Sequence, residues 1–574
     1  MQSMKKKLFF AVYLFMSFFL CSEQALVELV DNSGKDQIVA IMQHVKDDVV
    51  SGCDQPTQYI DSANLKDLNI DAMVDWFSCK TVMGKAMLAK NLQNPISPQD
   101  QTGIVELRHA CVMELVNNPE YKAKVEQILT AAAEQEAVVI ELMSISFKSR
   151  SCPALQSLAT LKEQGSPLYY LVKTMSSNPY VSTCMLGYEV SAISTSSVAA
   201  IQLGVEAWKK FGTTDGIFLA AFSMANALAA CGCYYLGLRP ELESAGEMRP
   251  RIHALRRLVF FAQSLEELAD QHCVALQFKK SFITDPNALS IMKELGYSRY
   301  NKPSEYIFNP ATVGTFLYKI YENHAALAQI FASIAEMDAC NAIANKILAS
   351  KNSEQPFCVA EKLQADTPQV KSKSFWNVLV PKAITNSVTQ DRNMVLTGPN
   401  AGGKTTAIRA ILQNIVLAQT YGVAVAEKFE YTPFDTVLSY LNISDDLLHG
   451  DSLFASEVKR AQELLGKVKT LKSDQKLFFA LDELFTGTVA EAGEECAYNF
   501  IKKISTYDKA LSIYATHFKA LKKLGDENPR MMNYKVDAPV KNDAGKLVYP
   551  YTLSPGASDV CIALDMAREA NLFE

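Results

Sequence analysis

Apolar residues recur at three- and four-residue steps over Asp36–Ser51, Val105–Asn117, Tyr121–Met143, Leu168–Met175, Ile252–Ala269 and Thr315–Ala349, and each stretch predicts an amphipathic helix. Prolines at 95, 98, 153, 179, 286, 303 and 310 separate them. Farther along, the pattern changes to short unbroken apolar runs, Met394–Leu396, Leu477–Leu481 and Ala510–Ala515. Runs of that kind predict strands buried on both faces, as in a parallel sheet. The polar stretch 351–373, with Pro356 and Pro368, marks the change. The expected organisation is a helical region over 26–350, a linker over 351–373 and an α/β domain with a mostly parallel sheet over 374–574.

Two further apolar segments bear on compartment. Lys5, Lys6 and Lys7 precede the run 8–20, a positive region followed by a hydrophobic stretch of signal-peptide length, so residues 1–25 are expected to be a signal peptide or a membrane anchor. Residues 217–238 carry no charged side chain and are long enough to span a bilayer, although Ala, Gly, Ser, Cys and Asn dilute them and a buried core helix fits equally well. If both segments insert, the arginines after Leu238 fall on the cytoplasmic side. Membrane association through 8–20, and less surely 217–238, is therefore an expectation.

The chemistry lies in the α/β region. Gly398, Pro399, Asn400, Ala401, Gly402, Gly403, Lys404, Thr405 and Thr406 follow a predicted strand and open a predicted helix, the context a phosphate-binding loop requires. Backbone N–H groups in such a loop, with the helix N-terminus behind them, attract a triphosphate. Lys404 is then placed to reach its outer phosphates and Thr405 to hold Mg2+. The run Leu477–Leu481 ends in Asp482 and Glu483, where ligands bind at the carboxyl edge of a parallel sheet. Asp482 suits a second Mg2+ contact and Glu483 the positioning or deprotonation of an attacking water. His517, ending the run Ala510–Ala515, is expected at the same edge, where a histidine can contact the outermost phosphate or the attacking water.

These segments, with Asp445–Glu457 between them, resemble the MutS mismatch-repair ATPases in order and spacing. The resemblance covers roughly residues 330–570. It implies a P-loop ATPase domain of the ABC type, with ATP and Mg2+ as ligands, preceded by helices that act as a lever and clamp. It also implies a dimer with composite ATP sites, in which Ser452 completes the partner's site, and binding to double-stranded DNA. The stretch Ala335–Ala344 looks like the end of the family's long helix, Pro381–Asn386 like its adenine-side loop, and Tyr551–Ser558 like its closing strand and turn. An aromatic for stacking on adenine is expected near Ala383 or Ile384, where the chain has none.

Departures narrow the expectation. Leu453 stands where the family has threonine, and Phe485-Thr486-Gly487-Thr488 replaces Gly-Arg-Gly-Thr, a variant more like the short MutS-like ATPases. The Phe-x-Glu motif with which mismatch readers wedge a base step is not found before the helical region. Mismatch specificity is therefore not expected to be inherited. A net charge of −6 supplies no general attraction to a polyanion, so any DNA contact must be local. The basic cluster Arg239, Arg249, Arg251, His253, Arg256 and Arg257, with Lys279 and Lys280, lacks interleaved aromatics and reads first as a solvated helix face. The 13 cysteines form no CxxC or Cys/His spacing and read as free buried thiols rather than a zinc site. The expected function is an ATP-hydrolysing, DNA-binding dimeric clamp. A membrane-associated mechanochemical ATPase acting on protein or envelope partners is the alternative, and in either case nucleotide supply argues for a cytoplasmic ATPase domain.

Overall fold

A computed structural model of the chain describes residues 66–98, 103–148, 239–272, 324–351, 353–441, 453–543 and 547–560. The apolar segments 8–20 and 217–238 and the expected helices over 36–51 and 168–175 lie outside the described residues. Among those described, no helix is long and apolar enough to cross a membrane. Membrane association thus has no support from any described element. The described residues fall into two compact units, one holding those between Val49 and Leu129, between Leu265 and Gln277 and between Ser333 and Glu574, the other the rest.

Among the described residues six helices come first: α1 (Ile70–Phe77), α2 (Val82–Gln93), α3 (Ile104–Asn117), α4 (Pro119–Lys148), α5 (Arg239–Gln271) and α6 (His324–Ser350). The periodicities over 105–117, 121–143, 252–269 and 315–349 correspond to α3, α4, α5 and α6, whereas α1 and α2 were not expected. In the smaller unit, α5 buries Ile252, Leu255, Leu258, Val259 and Ala262, a stripe at helical spacing. Arg257 lies on its exposed side and Arg251 and Arg256 are half-buried.

Among the described residues, the larger unit contains two large sheets and one two-stranded sheet. The first orders its strands β3-β2-β6-β1-β5, with β1 (Cys358–Lys362), β2 (Val370–Phe375), β3 (Asn386–Gln390), β5 (Val423–Ala424) and β6 (Lys428–Tyr431). The stretch expected as a linker thus supplies β1 and most of β2. Val370, Ser372 and Phe375 are buried in β2 while Lys373 is exposed, so half of its face is solvated and its sequence looks polar.

The second sheet has the order β13-β10-β4-β9-β8-β7. Here β4 is Asn393–Thr397, β7 Thr436–Tyr440, β8 Leu477–Asp482, β9 Ala510–Ala515, β10 Met531–Val536 and β13 Leu553–Pro555. All its pairings are parallel except β10 with β13. Every residue of β4 and β9 is buried, the signature of central parallel strands covered on both faces. On one side α8 (Leu453–Thr470), α9 (Ala490–Ile504) and α10 (Lys519–Glu527) cover it, packing Leu464, Val468, Ile501, Leu521 and Leu524 with Leu438, Phe479, Leu481 and Tyr514. The small strands β11 (Val540–Lys541) and β12 (Leu547–Val548) pair apart from both sheets.

Helix α7 (Lys404–Tyr421) follows β4 and is buried from Ala410 to Tyr421 on all sides. Total burial leaves its polar side chains needing partners, and Asn414 and Gln419 have them, whereas Gln413 Oε1 has none. Asn414 Oδ1 accepts the N–H of Val425 at 2.7 Å, and the Gln419 amide donates to the carbonyls of Ile96 and Phe434 while accepting the Phe434 N–H. At its C-terminal end Tyr421 meets a network from three other helices. Arg108 of α3 donates to Glu336 of α6 at 2.6 Å and to Asn91 of α2 at 2.8 Å, and Asn91 donates to Glu336 and to the Tyr421 hydroxyl. Helices expected to stand apart from the α/β domain, α2 and α3, are thereby joined to it.

Candidate functional site

Sheet order builds the site. The C-terminal ends of β4, β9 and β8 are neighbours, so Gly398 follows the first, Thr516 and His517 the second, and Asp482 closes the third. The histidine strand lies between the glycine loop and the paired acids. Asp482 pairs in register with Ala515, two residues before His517.

The glycine loop turns into α7 at Gly403, whose φ of 98° favours glycine. Gly403 caps the helix without a side-chain hydrogen bond, leaving first-turn N–H groups facing the loop. Gly398 is needed for room as well, since a Cβ there would fall 2.9 Å from Val536 Cβ. Lys404, the first residue of α7, is buried at 6 % exposure. Its Nζ lies 3.3 Å from the Gly398 carbonyl, 3.4 Å from that of Pro399 and 3.0 Å from His517 Nε2, with Glu483 Oε1 at 4.0 Å. Burial pulls the ammonium below its ordinary range, against the opposing pull of Glu483 and Asp482.

The Thr405 hydroxyl donates to Asp482 Oδ2 at 2.5 Å, while Asp482 Oδ1 is buried with no hydrogen-bond partner. Burial raises the Asp482 pKa, with a further push from Glu483, in spite of the Thr405 bond. A hydroxyl beside a buried carboxylate oxygen lacking a donor fits a hydrated divalent cation of the Mg2+ type. Glu483 is displaced the other way, its carboxyl held below the usual range chiefly by its hydrogen bond with His517, at 3.0 Å. His517 Nε2 thus faces both Lys404 and Glu483. Bare, it accepts from the lysine; protonated, it donates to the acid, so one proton decides which neighbour it holds.

Glu483 and Phe485 have φ of 53° and 67°, conformations that side chains of their size rarely adopt. Each costs about 1–3 kcal/mol, sustained only where the surroundings over-determine it. Part of the support is the Glu483 N–H donating to the Ala515 carbonyl at 3.0 Å. Ser452 lies outside the described residues, directly before the first residue of α8.

Two residues at or beside the site escaped the sequence reading. Tyr551 sets its ring edge against the glycine loop, since a Cβ on Gly403 would meet its Cδ1 at 3.2 Å, and it is 47 % exposed. Asn386 accepts the Leu553 N–H at 2.7 Å and donates to the Tyr551 carbonyl at 3.0 Å, which ties the end of the adenine-side loop to Tyr551. Ile384 in that loop is 49 % exposed. The second is Glu457 of α8, which binds the loop after Glu483. Both stand in segments singled out only for their family resemblance, Asp445–Glu457 and Tyr551–Ser558; the contact each makes at the site becomes visible only through its neighbour in space.

Residues 394–574 match the family model for MutS domain V. This part of the chain belongs to the MutS family. Among similar proteins is a DNA mismatch repair protein MutS of Streptococcus agalactiae, 28% identical over 216 residues, which covers 36% of this chain and 24% of that protein. A MutS of Fusobacterium nucleatum is 30% identical over 183 residues, 32% of this chain and 20% of that protein. The DNA mismatch repair protein MSH3 of Vanderwaltozyma polyspora is 26% identical over 305 residues, 50% of this chain and 28% of that protein. The chain therefore spans about a quarter of the length of the curated MutS and MSH3 relatives it matches. No group of histidine, cysteine and acidic side chains suited to a metal is found among the described residues by clustering alone, and the described cysteines are free thiols.

Proposed function

We propose that the chain binds and hydrolyses ATP with Mg2+ at the edge of the six-stranded sheet, as a dimer whose nucleotide cycle gates a clamp on double-stranded DNA. The observation that carries the ATPase reading is the convergence of Lys404, Asp482, Glu483 and His517 from three adjacent strand ends. Backbone N–H groups of Gly398–Thr406 cradle the phosphates, and Lys404 neutralises the outer ones. Thr405 and Asp482 would hold Mg2+, which when bound would withdraw charge from the phosphate oxygens. Glu483, whose lowered pKa keeps it ionised, orients and deprotonates the attacking water. His517 exchanges its hydrogen bond between Lys404, Glu483 and the transferred phosphate. Tyr551 lies on the base side of the loop and supplies the aromatic face that Ala383 and Ile384 lack.

The family resemblance supports the rest. Ser452 of one subunit caps the nucleotide of the other, nucleotide binding closes the dimer, and hydrolysis releases it. The matched relatives are named DNA mismatch repair proteins, which favours DNA over an envelope partner, and the family resemblance implies that the DNA is double-stranded.

Mg2+-dependent phosphate release by the purified chain tests the chemistry. Mixing Ser452→Ala with Lys404→Ala chains tests the shared site: with capping in trans the mixed dimer regains one complete site, the Lys404 of the first chain capped by the Ser452 of the second, so activity should exceed the average of the two, and simple averaging would contradict capping in trans. Duplex binding should weaken linearly on logarithmic axes as salt rises. Binding indifferent to salt, or none, would sink the DNA reading and leave the ATPase reading standing.

A further inference from the structure

The turn that carries Glu483 is fastened by a residue outside the sheet edge. Glu457, in the second turn of α8, is 1 % exposed. Its Oε1 accepts the Thr486 N–H at 3.0 Å and lies 3.3 Å from the Thr486 hydroxyl, while Oε2 accepts the Gly487 N–H at 3.1 Å. Donors from two consecutive residues thus converge on one buried carboxylate. A charge-assisted bond of that kind is shorter and stronger than a neutral one, and an amide in its place loses the second acceptor.

Two further contacts join the same pair of elements. A Cβ on Gly487 would fall 2.7 Å from the Phe454 backbone nitrogen and 3.0 Å from Leu453 Cγ. Gly487 is not among the positive-φ residues, so close approach rather than backbone freedom requires glycine there. Phe485, in its left-handed conformation, places its ring 6.2 Å from that of Phe454 and 6.0 Å from that of Phe500. The first turns of α8 therefore hold residues 485–487 by a carboxylate, a steric fit and an aromatic contact.

We infer that Glu457 is a positioning residue for hydrolysis: it locks the turn that aims Glu483 to the helix beginning directly after Ser452, so that a subunit's own acid and the segment it offers its partner move together. The inference rests on the ATPase reading above. Both oxygens of Glu457 are taken up by the turn, so it acts on hydrolysis through Glu483.

The test uses the full chain with MgATP. Glu457→Gln should leave ATP affinity within about twofold and lower kcat about tenfold or more, the pattern of a group that acts after binding. Gly487→Ala, whose Cβ would fall 2.7 Å from the Phe454 backbone nitrogen and 3.1 Å from Glu457 Oε2 and so forces the turn off α8 with the Glu457 side chain retained, should reproduce that split, and Glu457→Asp should recover part of the activity. A chain carrying both Lys404→Ala and Glu457→Gln, mixed with wild type, leaves in the mixed dimer one competent site, bound by the wild-type subunit and capped by the altered one. That site should also be slow, whereas a purely local role would leave it as active as the mixture made with Lys404→Ala alone. Wild-type kcat in Glu457→Gln and Gly487→Ala, or affinity falling in step with kcat, would overturn the inference alone. If Glu457→Gln fails to fold, Gly487→Ala decides. A wild-type chain that binds no MgATP would instead defeat the ATPase reading, and the inference with it.

Discussion

Two clusters of buried charge lie at opposite ends of α7, and they are built to opposite rules. At the C-terminal end, Arg108 and Glu336 are 6 % and 2 % exposed, paired at 2.6 Å, and bracketed by Asn91 and Tyr421. The Arg108 guanidinium lies 5.5 Å over the Tyr421 ring. At the N-terminal end, Lys404 is just as buried, but its acid neighbour is at 4.0 Å, Asp482 has an oxygen with no donor, and Glu483 sits in a strained backbone. A closely paired network holds helices together; a loosely paired one keeps charge available for a ligand. A single helix carries both, so a phosphate bound at one end bears on an element whose other end is fixed to α2, α3 and α6.

That contrast predicts which substitutions cost stability and which cost activity. Arg108→Met leaves Glu336 buried without its cation and should lower unfolding stability by about 3–5 kcal/mol, measured as a fall in the urea midpoint. The folded fraction should keep its ATP affinity. Lys404→Ala should do the reverse: phosphate release falls about 10²–10³-fold, as for other electrostatic stabilisers of a transition state. Its melting temperature should hold or rise, because burial disfavours the ammonium. Equal stability losses in both variants would erase the distinction.

Smaller effects sharpen it. Tyr551→Ala should weaken ATP binding by about 1–3 kcal/mol, the range for stacking of a base on an aromatic ring, with kcat little changed and Tyr551→Phe near wild type. Titration calorimetry with ATP and with inorganic triphosphate separates the two, since only ATP should register the change. Asp482 supplies the pH arm. Its folded pKa is raised by burial, so the proton competes with the cation up to a higher pH than for an ordinary carboxylate. Mg2+ affinity should therefore rise with pH through that raised value, by at most about tenfold per unit, and level off above it. A flat profile across the acidic range would remove Asp482 from the metal site.

How much was legible before the fold was known depended on whether a feature was local. Gly398–Thr406 and Leu477–Glu483 were readable because a buried strand and the turn after it are contiguous, and their chemistry lies at fixed offsets. His517 followed from the same logic at the end of β9. The half-solvated strands β1 and β2 carry too many polar residues to stand out, so they merged with the loops around them. Arg108 and Glu336 are 228 residues apart, and nothing in either segment announces the other. Glu457 closes the segment Asp445–Glu457, but nothing in that segment names the turn 485–487 as the partner of its buried carboxylate. Ser452, proposed on resemblance, lies outside the described residues and rests on the mixing experiment.

Lys404, Thr405, Asp482, Glu483 and His517 are proposed to form one hydrolytic MgATP site, and the decisive experiment is to incubate Glu483→Gln and wild-type chains with radiolabelled ATP and Mg2+ and recover the bound nucleotide. Wild type should yield ADP and free phosphate, while Glu483→Gln should bind as tightly and return intact ATP. Equal conversion by the two chains, or no retention of nucleotide by either, would rule such a site out.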